Sequence, residues 1–254
     1  EWNIEGAGNW ADNDNWSNNA SVAQNAFAYF GNAIDEDVIV SVSDTQSVDG
    51  ITFFSDHAYR LRVSGADGRL EIGNAGSGQD ALIDVRWGSH RISTDTTVFS
   101  DLAIQVLPDA ALRIDNGFDA NGFEIRKLGA GTLDLGLGFD LNGGLLSAYA
   151  SEVATIILGD DALISTGEFE LLLAPGQTLE LGDVFELVSY GAGFDEAFAD
   201  ILLPTLDGDL AFELDYGQTG LTASVVTAAA IPEPTSVALL GAGGLLLARR
   251  RRKA

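Results

Sequence analysis

The side chains able to do chemistry in this 254-residue chain are few in kind. There is no cysteine, which removes thiolate nucleophiles, thiolate metal sites and disulfides. His57 and His90 are the only histidines; they lie far apart, neither sits in a metal-spacing motif, and both read as surface residues. Carboxylate pairs are abundant (Asp12 and Asp14; Asp35, Glu36 and Asp37; Asp160 and Asp161), so no single pair stands out as a general acid and base. Asp12-Asn13-Asp14-Asn15 is rich in oxygen but lacks the glycine and the distal glutamate of a calcium loop, and reads as a turn. Gly129-x-Gly131 is followed by strand-forming residues rather than a helix, so it does not cradle a phosphate. No catalytic residue and no metal ligand is assigned. The expectation is a protein that is not an enzyme, with calcium the one weak candidate among cofactors.

Three residues could bind rather than react. Trp2, Trp10 and Trp16 recur within fifteen residues, too much apolar surface to leave in water. The spacing predicts that they cap the end of a β core. The sharper alternative is a glycan contact, because flat rings stack on sugars.

Charge narrows the partners. The net charge is −25, and residues 1–230 hold all but one of the 38 acidic residues against eight of the 13 basic ones. Such a body repels nucleic acid and anionic membranes. The acidic residues are scattered, which reads as solvation of an exposed β surface, with calcium binding the alternative. The absence of methionine, at position 1 as elsewhere, reads as a chain that begins after a removed N-terminal segment.

The elements that must position these residues begin with the last 24. Pro232, Glu233 and Pro234 come first, and two prolines so placed keep the chain out of a regular helix or central strand. Val237 to Ala248 is apolar and uncharged. Arg249, Arg250, Arg251, Arg252 and Lys253 follow, a stop-transfer cluster that stays cytoplasmic. Counted from Thr235, a helix here spans about 21 Å at ~1.5 Å per residue. That is short of the ~30 Å hydrocarbon core. A short transmembrane helix containing Gly241, Gly243 and Gly244 suits a transient intermediate better than a permanent anchor, which is the plainer alternative.

Triplet, apolar run and arginine cluster, in that order and at the C-terminus, resemble the PEP-CTERM sorting signal of bacterial exosortase substrates. The resemblance implies recognition at Pro232-Glu233-Pro234 by a membrane-embedded, cysteine transpeptidase-like exosortase. It further implies a passing inner-membrane intermediate, removal of the tail, and release or attachment at the surface of a Gram-negative-type cell.

Residues 1–226 read as many short strands. Val38 to Val42 is β-branched, and Tyr59-Arg60-Leu61-Arg62-Val63 alternates apolar and polar strictly. Arg69 to Ile72, Leu82 to Trp87, Ala103 to Leu107 and Leu112 to Asp115 follow at spacings of about 8–12 residues, without amphipathic helices between them. A β-sandwich and a β-solenoid share these cues. The Gly-, Asn- and Asp-rich turns favour the solenoid, although Asn116-Gly117 and Asn121-Gly122 could close hairpins. Lys127-Leu128-Gly129-Ala130-Gly131-Thr132-Leu133 resembles the K-x-G-x-G-T-L core of autotransporter-associated β-strand repeats, and the order Trp, Gly-Asn-Trp, Asn-Trp-Ser is similar to the start of bodies that carry such tails. These resemblances imply an all-β fold, a right-handed parallel β-helix exported to the cell surface. Leu210 to Tyr216 and Gly220 to Val226 are expected to close the open end, 227–230 to act as a linker, and 231–254 to act as the signal.

The sequence thus predicts an exported structural protein of the cell surface or extracellular matrix, its partners the exosortase, transiently the inner membrane, and an exopolysaccharide, but not nucleic acid. The alternative is a glycan-binding or polysaccharide-cleaving β-helix module.

Overall fold

Strict alternation in a strand sends successive side chains to opposite faces, so one set of residues is committed to an interior. A computed structural model of the protein describes residues 1–17, 22, 26–74, 78–151, 155–191 and 196–228. Among them every regular element is a strand, apart from one 3₁₀ turn at Asn13–Asn15. The chain winds as a β-solenoid of about six turns. The predicted tail, with its short transmembrane helix, lies outside the described residues.

Each turn visits three faces. The strands Ala81–Trp87, Ser89–Ser93 and Asp95–Val98 form one turn, and Leu102–Val106, Ala111–Ile114 and Phe118–Asp119 form the next. Pairing between turns is parallel throughout the stack. Leu82 pairs with Ala103, Ala103 with Arg126, Arg126 with Ser147 and Ser147 with Glu170, so these turns take 21 to 23 residues. A sandwich would pair sequential strands as hairpins, and this register excludes it. One strand, Thr45–Phe54, crosses a corner unbroken: its first half pairs with Arg69–Ile72 on the third face and its second half with Ala81–Trp87 on the first.

Register in a parallel stack places like beside like. Ala28, Ile51, Ile83, Ile104, Lys127, Ala148 and Leu171 make one inward column, and Val40, Leu61, Ile92, Ile114, Leu135 and Leu158 make another, all nearly or wholly enclosed. Burying each large aliphatic side chain contributes roughly 1.5–3 kcal/mol. Phe118 stacks on Phe139 on the third face, with ring centroids 5.6 Å apart.

The Asn-Gly pairs turn corners rather than hairpins. Asn116 and Gly117, Asn121 and Gly122, and Asn142 and Gly143 all have positive φ. The flanking strands still pair in parallel with the neighbouring turns. Asn142 lies one turn beyond Asn121 and donates to Asp119 Oδ1 at 3.2 Å, tying corner to corner.

His90 is not a surface residue. Its position is in register with Leu112, an inward one. The ring stacks on Phe53 at 4.6 Å. Tyr59 N–H donates to Nδ1 at 3.1 Å, and Nε2 lies 2.8 Å from the Trp87 carbonyl oxygen, which requires the proton on Nε2. Desolvation dominates its titration and lowers its pKa to about 4, against weaker opposing contributions from the Trp87 and Ser55 backbone.

Two outcomes follow from this interior. Ile83→Ala should cost about 3 kcal/mol in denaturant unfolding, the cavity being held open by columns on both sides. The depressed pKa of His90 means that the unfolded chain binds its proton first. Stability from this group is therefore full above pH 6.5 and is lost as pH falls toward 4. Between pH 7 and 5 the loss should be about 2 kcal/mol, and His90→Gln should flatten that part of the profile measured by urea unfolding.

Candidate functional site

The three N-terminal tryptophans are brought together, and they are enclosed. Trp2 and Trp10 are 0 % exposed and Trp16 is 1 %. Trp16 meets Trp2 edge-on at 5.3 Å and Trp10 at 5.2 Å, and it donates its indole N–H to the Trp10 carbonyl at 2.7 Å. Phe30 lies beneath them, then Phe53, then His90, an aromatic column running into the stack. The rings therefore offer no face to a sugar, and the glycan contact predicted at Trp2, Trp10 and Trp16 gives way to a hydrophobic lid on the first turn. Asp12-Asn13-Asp14-Asn15 forms the 3₁₀ turn beside this lid, with the Asp12 side chain accepting from Asp14 N–H. Among the described residues no group of three or more His, Asp or Glu side chains is placed to hold a metal.

The K-x-G-x-G-T-L segment turns a corner. Lys127 points inward and is buried. Its ammonium donates to the carbonyls of Leu128 at 3.0 Å and Gly129 at 2.7 Å, and burial pushes its pKa down to about 8. Gly129 has φ +75°, and a Cβ there would collide with the carbonyl oxygen of Val106 in the preceding turn. Thr132–Leu135 then starts the next face. The lysine thus holds two carbonyls of its own corner in place, which is a structural task.

The arginines gather on the outer side of the second face. Arg60, Arg91, Arg113 and Asp134 stand in register on successive turns. Like charges one rung apart would repel, and carboxylates stand between them. Asp115 accepts from Arg91, from Arg113 Nε at 3.0 Å and from Ser93 Oγ at 2.8 Å. Desolvation pushes the Asp115 carboxyl up, but these hydrogen bonds outweigh it and hold it below its ordinary range. Arg113 Nη1 also reaches Asp134 at 2.7 Å. With Asp37 3.8 Å from Arg60, three carboxylates face the three arginines, and the ladder acts as ionic rungs across turns rather than as an acid and a base.

Sequence reasoning does not find an outward aromatic group on the first face. Phe27, Tyr29 and Trp87 are exposed, and Phe54 lies 6.5 Å from Trp87, ring to ring. A signal is present in Phe27-Ala28-Tyr29-Phe30, whose alternation sends Phe27 and Tyr29 out once Ala28 and Phe30 are inside.

The far end of the stack is closed by antiparallel pairing. Gly220–Thr227 lies between Val184–Tyr190 and Leu210–Tyr216. Ala228 N–H donates to Asp209 O, which extends this hairpin to the last of the described residues. The sorting residues Pro232, Glu233 and Pro234 and the basic cluster Arg249 to Lys253 lie outside the described residues.

Residues 230–253 match the PEP-CTERM protein-sorting motif. That motif implies exosortase-dependent export and a destination at the cell surface or outside the cell. Neither the curated proteins nor the solved structures compared with this chain give a match.

Among the described residues the last strand ends at Thr227, ahead of the matched segment. Removing residues 231–254 should therefore leave the melting temperature of the body within about 2 °C of the full chain, well under the several degrees that ~1 kcal/mol of lost stability would cause. Differential scanning calorimetry of the two proteins checks this.

Proposed function

From a chain that carries a PEP-CTERM protein-sorting motif at residues 230–253, we propose a non-catalytic structural component of the extracellular matrix, held briefly in the inner membrane and freed or attached by an exosortase. The observation that carries the reading is the tail joined to a body whose buried histidine, buried lysine and arginine ladder are engaged in the fold. His90 is fixed by two backbone partners, Lys127 caps a corner, and the arginine ladder is matched by carboxylates. None of these arrangements leaves a nucleophile beside a base. The strongly acidic outer surface keeps the rod dispersed and disfavours polyanions. An exopolysaccharide is the partner such a component would meet outside the cell.

The test is made in the native host. Replacing Pro232-Glu233-Pro234 by three alanines should leave an uncleaved, membrane-associated precursor, read by mass spectrometry of the C-terminus and by fractionation. The same C-terminal residue in wild type and variant would defeat the processing reading. Release of reducing sugar by the purified protein from host polysaccharide would defeat the non-catalytic one.

A further inference from the structure

The outer surface of the first face near the N-terminal end has an order of its own. In register across three turns stand Phe27, Gly50 and Leu82, then Tyr29, Thr52 and Asp84, then Phe54 and Trp87. The alternate residues Ala28, Phe30, Ile51, Phe53, Ile83 and Val85 are all inside, so these rows point out. The ring of Phe27 lies over Gly50, where a Cβ would collide with it, and the ring of Phe54 lies over Gly31 in the same way. Missing side chains thus make room for these rings close against the backbone.

The centre of the patch is polar. Thr52 and Asp84 occupy outward positions and yet are only 6 % exposed each, so neighbouring side chains cover them. Asp84 Oδ2 accepts from Arg86 Nε at 2.8 Å. Its other oxygen, Oδ1, is buried and has no hydrogen-bond partner. A carboxylate oxygen left so destabilises the fold until a donor reaches it. Arg86 itself is exposed and within electrostatic reach of Tyr29.

A surface of this kind presents apolar rings above a covered carboxylate oxygen with an unmet lone pair, and an exposed charged donor beside it. A pyranose is the complementary object: its C–H face is apolar and its rim carries hydroxyls that donate to carboxylates and accept from guanidinium. Charge selects among sugars, because the body is strongly acidic and the local cation, Arg86, is already paired with Asp84. A uronate polymer would be repelled. We propose that Phe27, Tyr29, Phe54 and Trp87 form a binding platform for a neutral glycan, with Asp84 and Arg86 as its hydrogen-bonding centre. The platform adds a ligand class to the matrix reading, and its test uses purified protein, so its failure would leave the export reading standing.

The full chain in detergent micelles is titrated with cellohexaose, laminarihexaose and chitohexaose, and with hexagalacturonate as the charged comparison. Calorimetry gives the affinity, and tryptophan fluorescence reports on Trp87, since the other tryptophans are enclosed. Saturable binding of at least one neutral hexasaccharide, tighter than that of hexagalacturonate, is expected. Trp87→Ala should weaken it about tenfold or more, as truncation of an aromatic anchor does. Asp84→Asn should weaken it several-fold, and Tyr29→Ala gives a second, exposed probe should Asp84→Asn not fold. No saturable binding of any neutral sugar would overturn the proposal, as would an unchanged Kd in Trp87→Ala with the fold intact. Trp87→Ala abolishing self-association in sedimentation while sugar never binds would assign the patch to a protein partner instead, and would overturn it equally.

Discussion

Everything in the body of this molecule answers to the parallel pairing of one turn with the next. A strand in that arrangement gives its N–H and C=O groups to neighbours a full circuit away in sequence, so a residue's environment is set by its rung-mates. Ile83 is inside because Ile51 and Ile104 are. The arginines of the second face would repel one another for the same reason, and Asp115 and Asp134 are where such a ladder needs them. A stack also has two ends whose strands lack a neighbour, the usual template for unwanted pairing. Here three tryptophans cover one end and an antiparallel hairpin closes the other. Stability is then a sum over neighbouring turns, and no single loop decides it.

How much of this can be read from the residues varies by face. The second face is legible: Tyr59–Val63 and Val38–Val42 are long enough to show their period, and the structure has them at the same limits. The third face is not, because Phe118–Asp119 and Phe139–Asp140 are two-residue strands, too short for any period to register. Their position depends on stacking, which a linear pattern does not carry. His90 misleads because a histidine flanked by Ser89 and Arg91 looks solvated. Only its rung-mate Leu112 shows that it points inward. The aromatic platform is hidden for a related reason. Its residues come from three separate turns, whereas Trp2, Trp10 and Trp16 are close in sequence and prove to be interior.

Lys127 shows how a corner motif can look like chemistry. A lysine beside a Gly-x-Gly run suggests anion binding, and strand context alone argues against it. The structure supplies the positive reason for the residues. Gly129 has no Cβ because the Val106 carbonyl of the turn below stands where one would go, and the amine reaches carbonyls of its own corner. The aliphatic stem meanwhile fills a place in the column between Ile104 and Ala148.

The closing hairpin would have a mechanical meaning wherever the molecule is held through its C-terminal segment. Hydrogen bonds between turns run along the long axis, so a tug on the far tip loads three faces of every layer at once. At the held end the load would converge on one strand, Gly220–Thr227, which is paired on one edge with Val184–Tyr190, with an irregularity at Glu186/Val188, and on the other with Leu210–Tyr216. A pull through that segment would therefore open the hairpin first, while the layers above it share the strain.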